Sequence, residues 1–167
     1  MTQRVELATV IDRLAVDEWV TEYAAAVDDG DWTAYRELFA PGGRADYRSA
    51  GGVEGDAGTV ADWLAENLRL FSMRQHLIVN RRVRFATLDQ DLGDTARVRA
   101  DYLNPMRFAT DGDTAPPDPS EHGPAGAPDF VSGGRYDFGL VRTADGWRFL
   151  EVVVAEKWRG LSPPERP

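Results

Sequence analysis

A chain of 167 residues, 43% hydrophobic and 28% charged, has the size and composition of one soluble globular domain, here taken as 1–167. A net charge of −9 counts against a nucleic-acid partner, and the absence of cysteine excludes disulfides and thiolate chemistry. No apolar run approaches the roughly 20 residues of a membrane span, and Met1–Glu6 carries no apolar leader, so a cytoplasmic protein without a membrane partner is expected.

Leu7, Val10, Ile11, Leu14, Ala15, Trp19, Tyr23, Ala26 and Val27 recur at steps of three and four, the spacing of an amphipathic helix. The helix should stop at Asp28-Asp29-Gly30, with Gly30 as a left-handed cap. Asp31 is placed to cap a second helix, Trp32 to Phe39, closed by Pro41-Gly42. Arg44 to Arg48 reads as a short strand with Ala45 and Tyr47 on one face, and Gly51-Gly52 as a turn. A third helix is expected over Thr59 to Leu70, with Val60, Trp63, Leu64 and Leu68 inward.

The remainder reads as strand: His76 to Ala86, Thr95 to Phe108, Arg135 to Arg142 and Trp147 to Trp158. Ala144-Asp145-Gly146 joins the last two as a hairpin turn. In Thr95–Phe108, Ala96, Val98, Ala100, Tyr102, Met106 and Phe108 alternate with Arg97, Arg99, Asp101 and Arg107. Arg81, Arg82 and Arg84 read as the solvated face of a strand rather than a nucleic-acid site. The stretch 111–130 holds five of the ten prolines and no periodicity, so it is either a lid over a site or an insertion. Helices first and antiparallel strands later is the α+β pattern, with helices covering a curved sheet.

His76 is one of two histidines, the other being His122 in the loop stretch. Imidazole suits proton transfer near neutrality. Asp28 lies 18 residues, five helical turns, after Val10 and so shares its direction, placing a carboxylate on the core side of the helix end. Three acids at a helix C-terminus oppose the macrodipole and need a reason, of which solvation is the cheapest. Tyr47 shares a face with Ala45, which predicts a buried ring seeking a hydrogen-bond partner. Asn80 shares the face of His76 and Ile78. Asp137, between Tyr136 and Phe138, faces away from those aromatics and is either surface or pocket. Tyr136, Phe138 and Leu140 form either core or an apolar outer face that would promote a homodimer or homotrimer. Phosphate-loop, dinucleotide, nucleophile-elbow and metal-helix motifs are missing, so no cofactor or metal is expected.

Tyr23-Ala24-Ala25-Ala26-Val27-Asp28-Asp29-Gly30-Asp31-Trp32, Leu38-Phe39-Ala40-Pro41, Asp46-Tyr47-Arg48-Ser49, Gln75-His76 and Arg142 to Phe149 together resemble the SnoaL-like, scytalone dehydratase-like branch of the nuclear transport factor 2-like superfamily. The resemblance covers residues 10–109 and 131–160. It implies a cone of helices packed into a strongly curved sheet around a pocket. It also implies a catalytic dyad of Asp28 and His76, as in the related hexachlorocyclohexane dehydrochlorinase, with Tyr47 acting on a substrate carbonyl through water. The chain departs from that pattern at Val27, where a second tyrosine is expected, and at Asn104-Pro105-Met106, where a second histidine is. It departs again at Arg135 and Asp137, which replace a serine and an asparagine.

The expected activity is that of a cofactor-independent lyase-type dehydratase acting on a small, largely apolar oxygenated ring such as an aromatic polyketide intermediate. A SnoaL-like cyclase or isomerase is the alternative enzyme. A ligand-binding module or the small subunit of a ring-hydroxylating dioxygenase is the alternative of another class. His76, Asp28 and Tyr47 are the expected catalytic residues; Asn80, Asp137, Tyr102, Val27, Trp63 and Arg135 are expected to bind substrate.

Overall fold

The computed structural model describes residues 2–109 and 127–161, with side chains from residue 7 onward. Most of the stretch 111–130, His122 included, lies outside the described residues. Among the described residues three α-helices, α1 (Thr2–Asp29), α2 (Trp32–Glu37) and α3 (Ala57–Leu68), accompany seven strands. These are β1 (Phe39–Asp46), β2 (Glu54–Asp56), β3 (Phe71–Arg74), β4 (Leu77–Thr87), β5 (Thr95–Phe108), β6 (Phe130–Thr143) and β7 (Gly146–Leu161).

Local chemistry sets the helix ends. Gly30 adopts φ +69°, its N–H donates to the Val27 carbonyl, and Asp31 N–H donates to Ala26, which closes α1 with a left-handed cap. The Asp31 carboxylate accepts from Ala34 N–H at the start of α2, as its sequence predicts. Asp56 does the same for α3 through Thr59 N–H, two residues earlier than the periodicity suggests. Pro41 and Gly42 do not close α2, which ends at Glu37 rather than Phe39: they lie inside β1, whose register shifts between Phe39 and Arg44.

The strands form one strongly curled sheet in the order β2-β1-β7-β6-β5-β3, with β4 also paired to β5. It is mixed rather than wholly antiparallel, because β1 runs parallel to β7. The β6–β7 hairpin turns at Ala144-Asp145, with Gly146 at φ +95° where a side chain would be strained. Along β5, Ala96, Val98, Ala100, Tyr102, Asn104 and Met106 are buried, the period-two pattern of a sheet with one covered face.

The core lies between that face and the helices. Val16, Val20, Tyr23 and Val27 are buried along one side of α1. The Tyr23 ring meets Tyr136, Phe138 and Phe149 edge-on, at centroid distances of 5.5, 5.3 and 6.0 Å. Of the two alternatives open for Tyr136, Phe138 and Leu140, the structure shows core, and these three form no apolar outer face. The first half of α1 also departs from expectation: Leu7, Val10, Ile11 and Leu14 are exposed, because the core begins only near Ala15.

Candidate active site

β3 and β4 share one edge of β5: β3 pairs with residues 106–108 and β4 with residues 95–103. Gln75 and His76 fall in the break between them, so His76 precedes β4 rather than lying inside it. That break releases the His76 backbone N–H from the ladder. It donates to Asp28 Oδ2 at 2.7 Å, while the imidazole Nδ1 donates to Asp28 Oδ1 at 2.6 Å. One carboxylate thus holds both the backbone and the ring of one residue. The His76 side chain is 6% exposed and that of Asp28 21%. Asp28 reaches this position although Val10, the residue used to infer its direction, points to solvent.

Arg74 explains how acids are tolerated at the end of α1. Its Nε donates to the Val27 carbonyl at 3.0 Å and its Nη1 to the Leu68 carbonyl at 3.1 Å. One guanidinium therefore serves the ends of both α1 and α3, adding a second donor to the Val27 carbonyl beside Gly30 N–H and supplying one to the Leu68 carbonyl. Its charge also faces Asp28 and Asp29; burial lowers the Arg74 pKa and those two carboxylates oppose the change.

His76 Nε2 faces Asn104 Nδ2 at 3.0 Å. With Nδ1–H committed to Asp28, Nε2 carries the lone pair and the amide nitrogen is the donor. Asn104 stands where the resemblance called for a second histidine. Its signal in the sequence was a polar residue at an inward position of an otherwise apolar alternation.

Tyr47 is buried beside Trp63, ring centroids 6.3 Å apart, and its hydroxyl is in close contact with that of Tyr23. Tyr23 lies one helical turn before Val27 on the same side of α1. A tyrosine pair is present, with its α1 member one turn earlier than the resemblance suggests. Burial, with Tyr136 and Tyr102 nearby, pushes the Tyr47 phenol well above its usual value, so it stays protonated and able to donate. Tyr136 is raised likewise, by burial, by Tyr102 and by the charge of Asp28. The Tyr102 and Tyr136 rings meet at a tilt, centroids 4.8 Å apart, joining β5 to the Tyr23–Tyr47 pair.

The remaining expected residues divide. Val27 is fully buried in the core and offers its carbonyl to Arg74. Tyr102 is buried on the same face as Asn104, its hydroxyl 3.1 Å from Ser132 Oγ, which donates to Glu156 Oε2 at 2.8 Å. Asn80, Asp137 and Arg135 do not join the site. Asn80 is exposed, at φ +54° in the irregular stretch of β4, and bonds Asp101. Asp137 pairs with Arg97 and Arg99, and Arg135 with Asp101, on the face of the sheet away from α1. The alternation that turns Tyr136 and Phe138 inward turns these charges outward.

The arrangement is an oriented imidazole with its carboxylate, a buried phenol pair whose Tyr47 member stays protonated, and an aromatic wall. It can move a proton and stabilise a developing oxyanion.

The model of the SnoaL-like domain matches residues 8–153. The uncharacterized protein Rv2910c of Mycobacterium tuberculosis is 31% identical over 147 residues, 88% of this chain and 86% of that protein. Among solved structures, the hexachlorocyclohexane dehydrochlorinase LinA-type3 of Novosphingobium barchaimii superposes with a TM-score of 0.72 at 13% identity, covering 97% of both chains. A protein of Novosphingobium aromaticivorans named provisionally as a scytalone dehydratase gives 0.66 at 16% identity, covering 100% of this chain and 99% of its own. At these identities the two structures show a shared fold.

Proposed function

This chain belongs to the SnoaL-like domain family, and on that premise we propose that it is a dehydratase using His76 as acid and base on a small ring bearing a carbonyl and a hydroxyl. The double hold of Asp28 on His76 carries the reading, since a ring fixed in tautomer and direction is what a general base requires.

In the proposed reaction His76 Nε2 takes a proton from the carbon beside the carbonyl, with the substrate displacing the Asn104 amide from that lone pair. The C–H electron pair forms the enolate, whose oxygen accepts a hydrogen bond from the Tyr47 hydroxyl. Asp28 balances the imidazolium. The enolate then collapses, the bond to the β-hydroxyl breaks, and that oxygen leaves as water with the proton from Nε2. The products are water and an unsaturated ketone, or the phenol that is its tautomer where the ring becomes aromatic, and His76 is neutral again. General acid–base catalysis of this kind contributes about 10²–10⁴-fold. Names of fold neighbours support lyase chemistry, a dehydrochlorinase and a provisional dehydratase both starting from this architecture.

Mass spectrometry of the product tests the reading. A cyclic β-hydroxyketone should lose one water in a His76-dependent reaction. Ring closure or isomerisation at unchanged mass would instead assign the same dyad to a cyclase or isomerase.

A further inference from the structure

The first half of α1 has its polarity inverted. Polar groups stand on the side that meets the sheet. Asp12, 5% exposed, accepts from Gln90 Nε2 at 2.9 Å and from Trp147 Nε1 at 3.1 Å, and pairs with Arg142. Arg13 donates to the Val83 carbonyl at 3.0 Å and lays its guanidinium over the Phe85 ring. On the outer side stand Leu7, Val10, Ile11 and Leu14, at 60, 53, 58 and 65% exposure. At 3.6 residues per turn these four share one stripe about 100° wide, roughly opposite Val16 and Tyr23, which carry the core face of the same helix. A helix serving only its own core would show the reverse polarity over residues 7–14. Four neighbouring aliphatic side chains, each more than half exposed, make an apolar patch of the kind that marks a contact surface.

The two ends of the stripe differ in charge. One turn beyond Leu14 it meets Asp17 and the exposed Glu18. At the other end the first turn of α1 holds no acid, and there the free N–H groups and the positive end of the helix dipole lie. A second copy of the stripe laid antiparallel matches this pattern throughout. Leu7 meets the partner's Leu14, and Val10 meets the partner's Ile11. The acids at 17 and 18 then arrive beside the acid-free first turn of the other helix. A two-fold axis between Val10 and Ile11 generates each of these contacts twice, as an isologous interface requires. Parallel pairing would instead set Glu18 against the partner's Glu18, a repulsive arrangement.

We propose that two copies of this chain associate through the outer stripe of α1, antiparallel about that axis, as a homodimer. The apolar seam supplies the affinity, and the charges at its ends set the direction. The patch is small for a permanent interface, so the dimer forms with micromolar rather than nanomolar affinity. The sheet takes no part in it. Asp28 follows Leu14 by 14 residues, about 21 Å of helix, so the His76 site stays clear of the seam. The proposal is independent of which reaction that site performs.

Analytical ultracentrifugation of the full chain tests the association, and cysteine pairing tests its direction. The unmodified protein should sediment as a dimer at about 100 μM and dissociate on dilution toward about 1 μM. Ile11→Glu places a charge on the axis in both copies and should weaken the dimer at least about a hundredfold, leaving a folded monomer. Leu14→Lys replaces it if circular dichroism shows that the glutamate variant does not fold. The chain has no cysteine of its own, so introduced thiols report without background. A mixture of Leu7→Cys and Leu14→Cys chains should form a disulfide-linked pair on oxidation with diamide, and neither variant alone should do so with comparable yield. A monomer at about 100 μM overturns the proposal, as does an oligomer unchanged by a folded Ile11→Glu or Leu14→Lys variant. Self-linking of Leu14→Cys as efficient as that of the mixture overturns the antiparallel direction.

Discussion

Asp28 and His76 are joined twice across 48 residues of sequence, once through the imidazole at 2.6 Å and once through the backbone N–H at 2.7 Å. The second bond matters as much as the first. A carboxylate bonded only to the ring would leave the residue free to swing, whereas the backbone bond sets where the ring begins.

His76→Ala and Asp28→Asn should each lower turnover by about tenfold to a hundredfold or more, with the far-ultraviolet circular dichroism spectrum retained. Full activity in either folded variant would sink the dyad. Asp28→Asn can still accept one bond, so it should keep more activity than His76→Ala.

Tyr47→Phe should reduce turnover less than His76→Ala, since it removes one donor to the oxyanion and leaves the base. Tyr23→Phe deletes the hydroxyl in contact with Tyr47 and should cost about 1–3 kcal/mol of stability, read from urea unfolding. A larger catalytic loss for Tyr47→Phe than for His76→Ala would show that the two roles are reversed.

Arg74→Met should destabilise the fold by about 2–3 kcal/mol, because the carbonyls of Val27 and Leu68 lose a charged donor together. Gly30→Ala attacks the same joint from the other side. Its φ is +69°, and an added Cβ would lie 2.8 Å from Arg74 Nη2. Both variants should lose activity as well as stability, since Asp28 sits inside the joint. Unfolding curves matching the unmodified protein would remove Arg74 from this role.

The far end of the sheet should govern acid stability. Asp12 and Asp94, both buried, flank Arg142. Burial pushes the Asp12 carboxyl up, but bonds from Arg142, Gln90 and Trp147 outweigh it and hold it below 3.8. Burial likewise raises Asp94, while the backbone N–H groups of Asp89 and Asp91, with Arg142, bring it below 3.8. A carboxyl lowered by folding stabilises the protein fully above its unfolded value and loses that contribution as pH falls through its folded value. The melting temperature should therefore hold from about pH 7 to pH 5 and fall below about pH 4. Asp94→Asn should melt lower at neutral pH and decline less steeply in acid. A melting temperature unchanged down to about pH 2.5 would contradict this assignment.

Much of the frame is local and therefore legible in the sequence. Gly30 ends a helix because its backbone can turn left-handed, Asp31 caps the next, and Ala144-Asp145-Gly146 makes a hairpin, each decided by a few neighbouring residues. Periodicity separated Tyr136 and Phe138 from Asp137 correctly, but could not say which side the helices cover. That choice moved Asp137 and Arg135 out of the site. The parallel pairing of β1 with β7, the short strand β3 and the reach of Arg74 all join residues distant in the chain, and no local pattern encodes them. Asn104 was visible as a polar interruption of an apolar face; Tyr23 passed as an ordinary core aromatic because its partner lies across the fold.

The break between β3 and β4 also has a bearing on the order of folding. The His76 imidazole is oriented only after that break has docked against the last turn of α1, a contact between segments 48 residues apart. Closing so long a loop comes at an entropic cost that local helix formation does not bear. Intermediates with α1 formed and the edge of β5 still open would hold His76 untethered, so the chain should acquire its proposed base among its last native contacts.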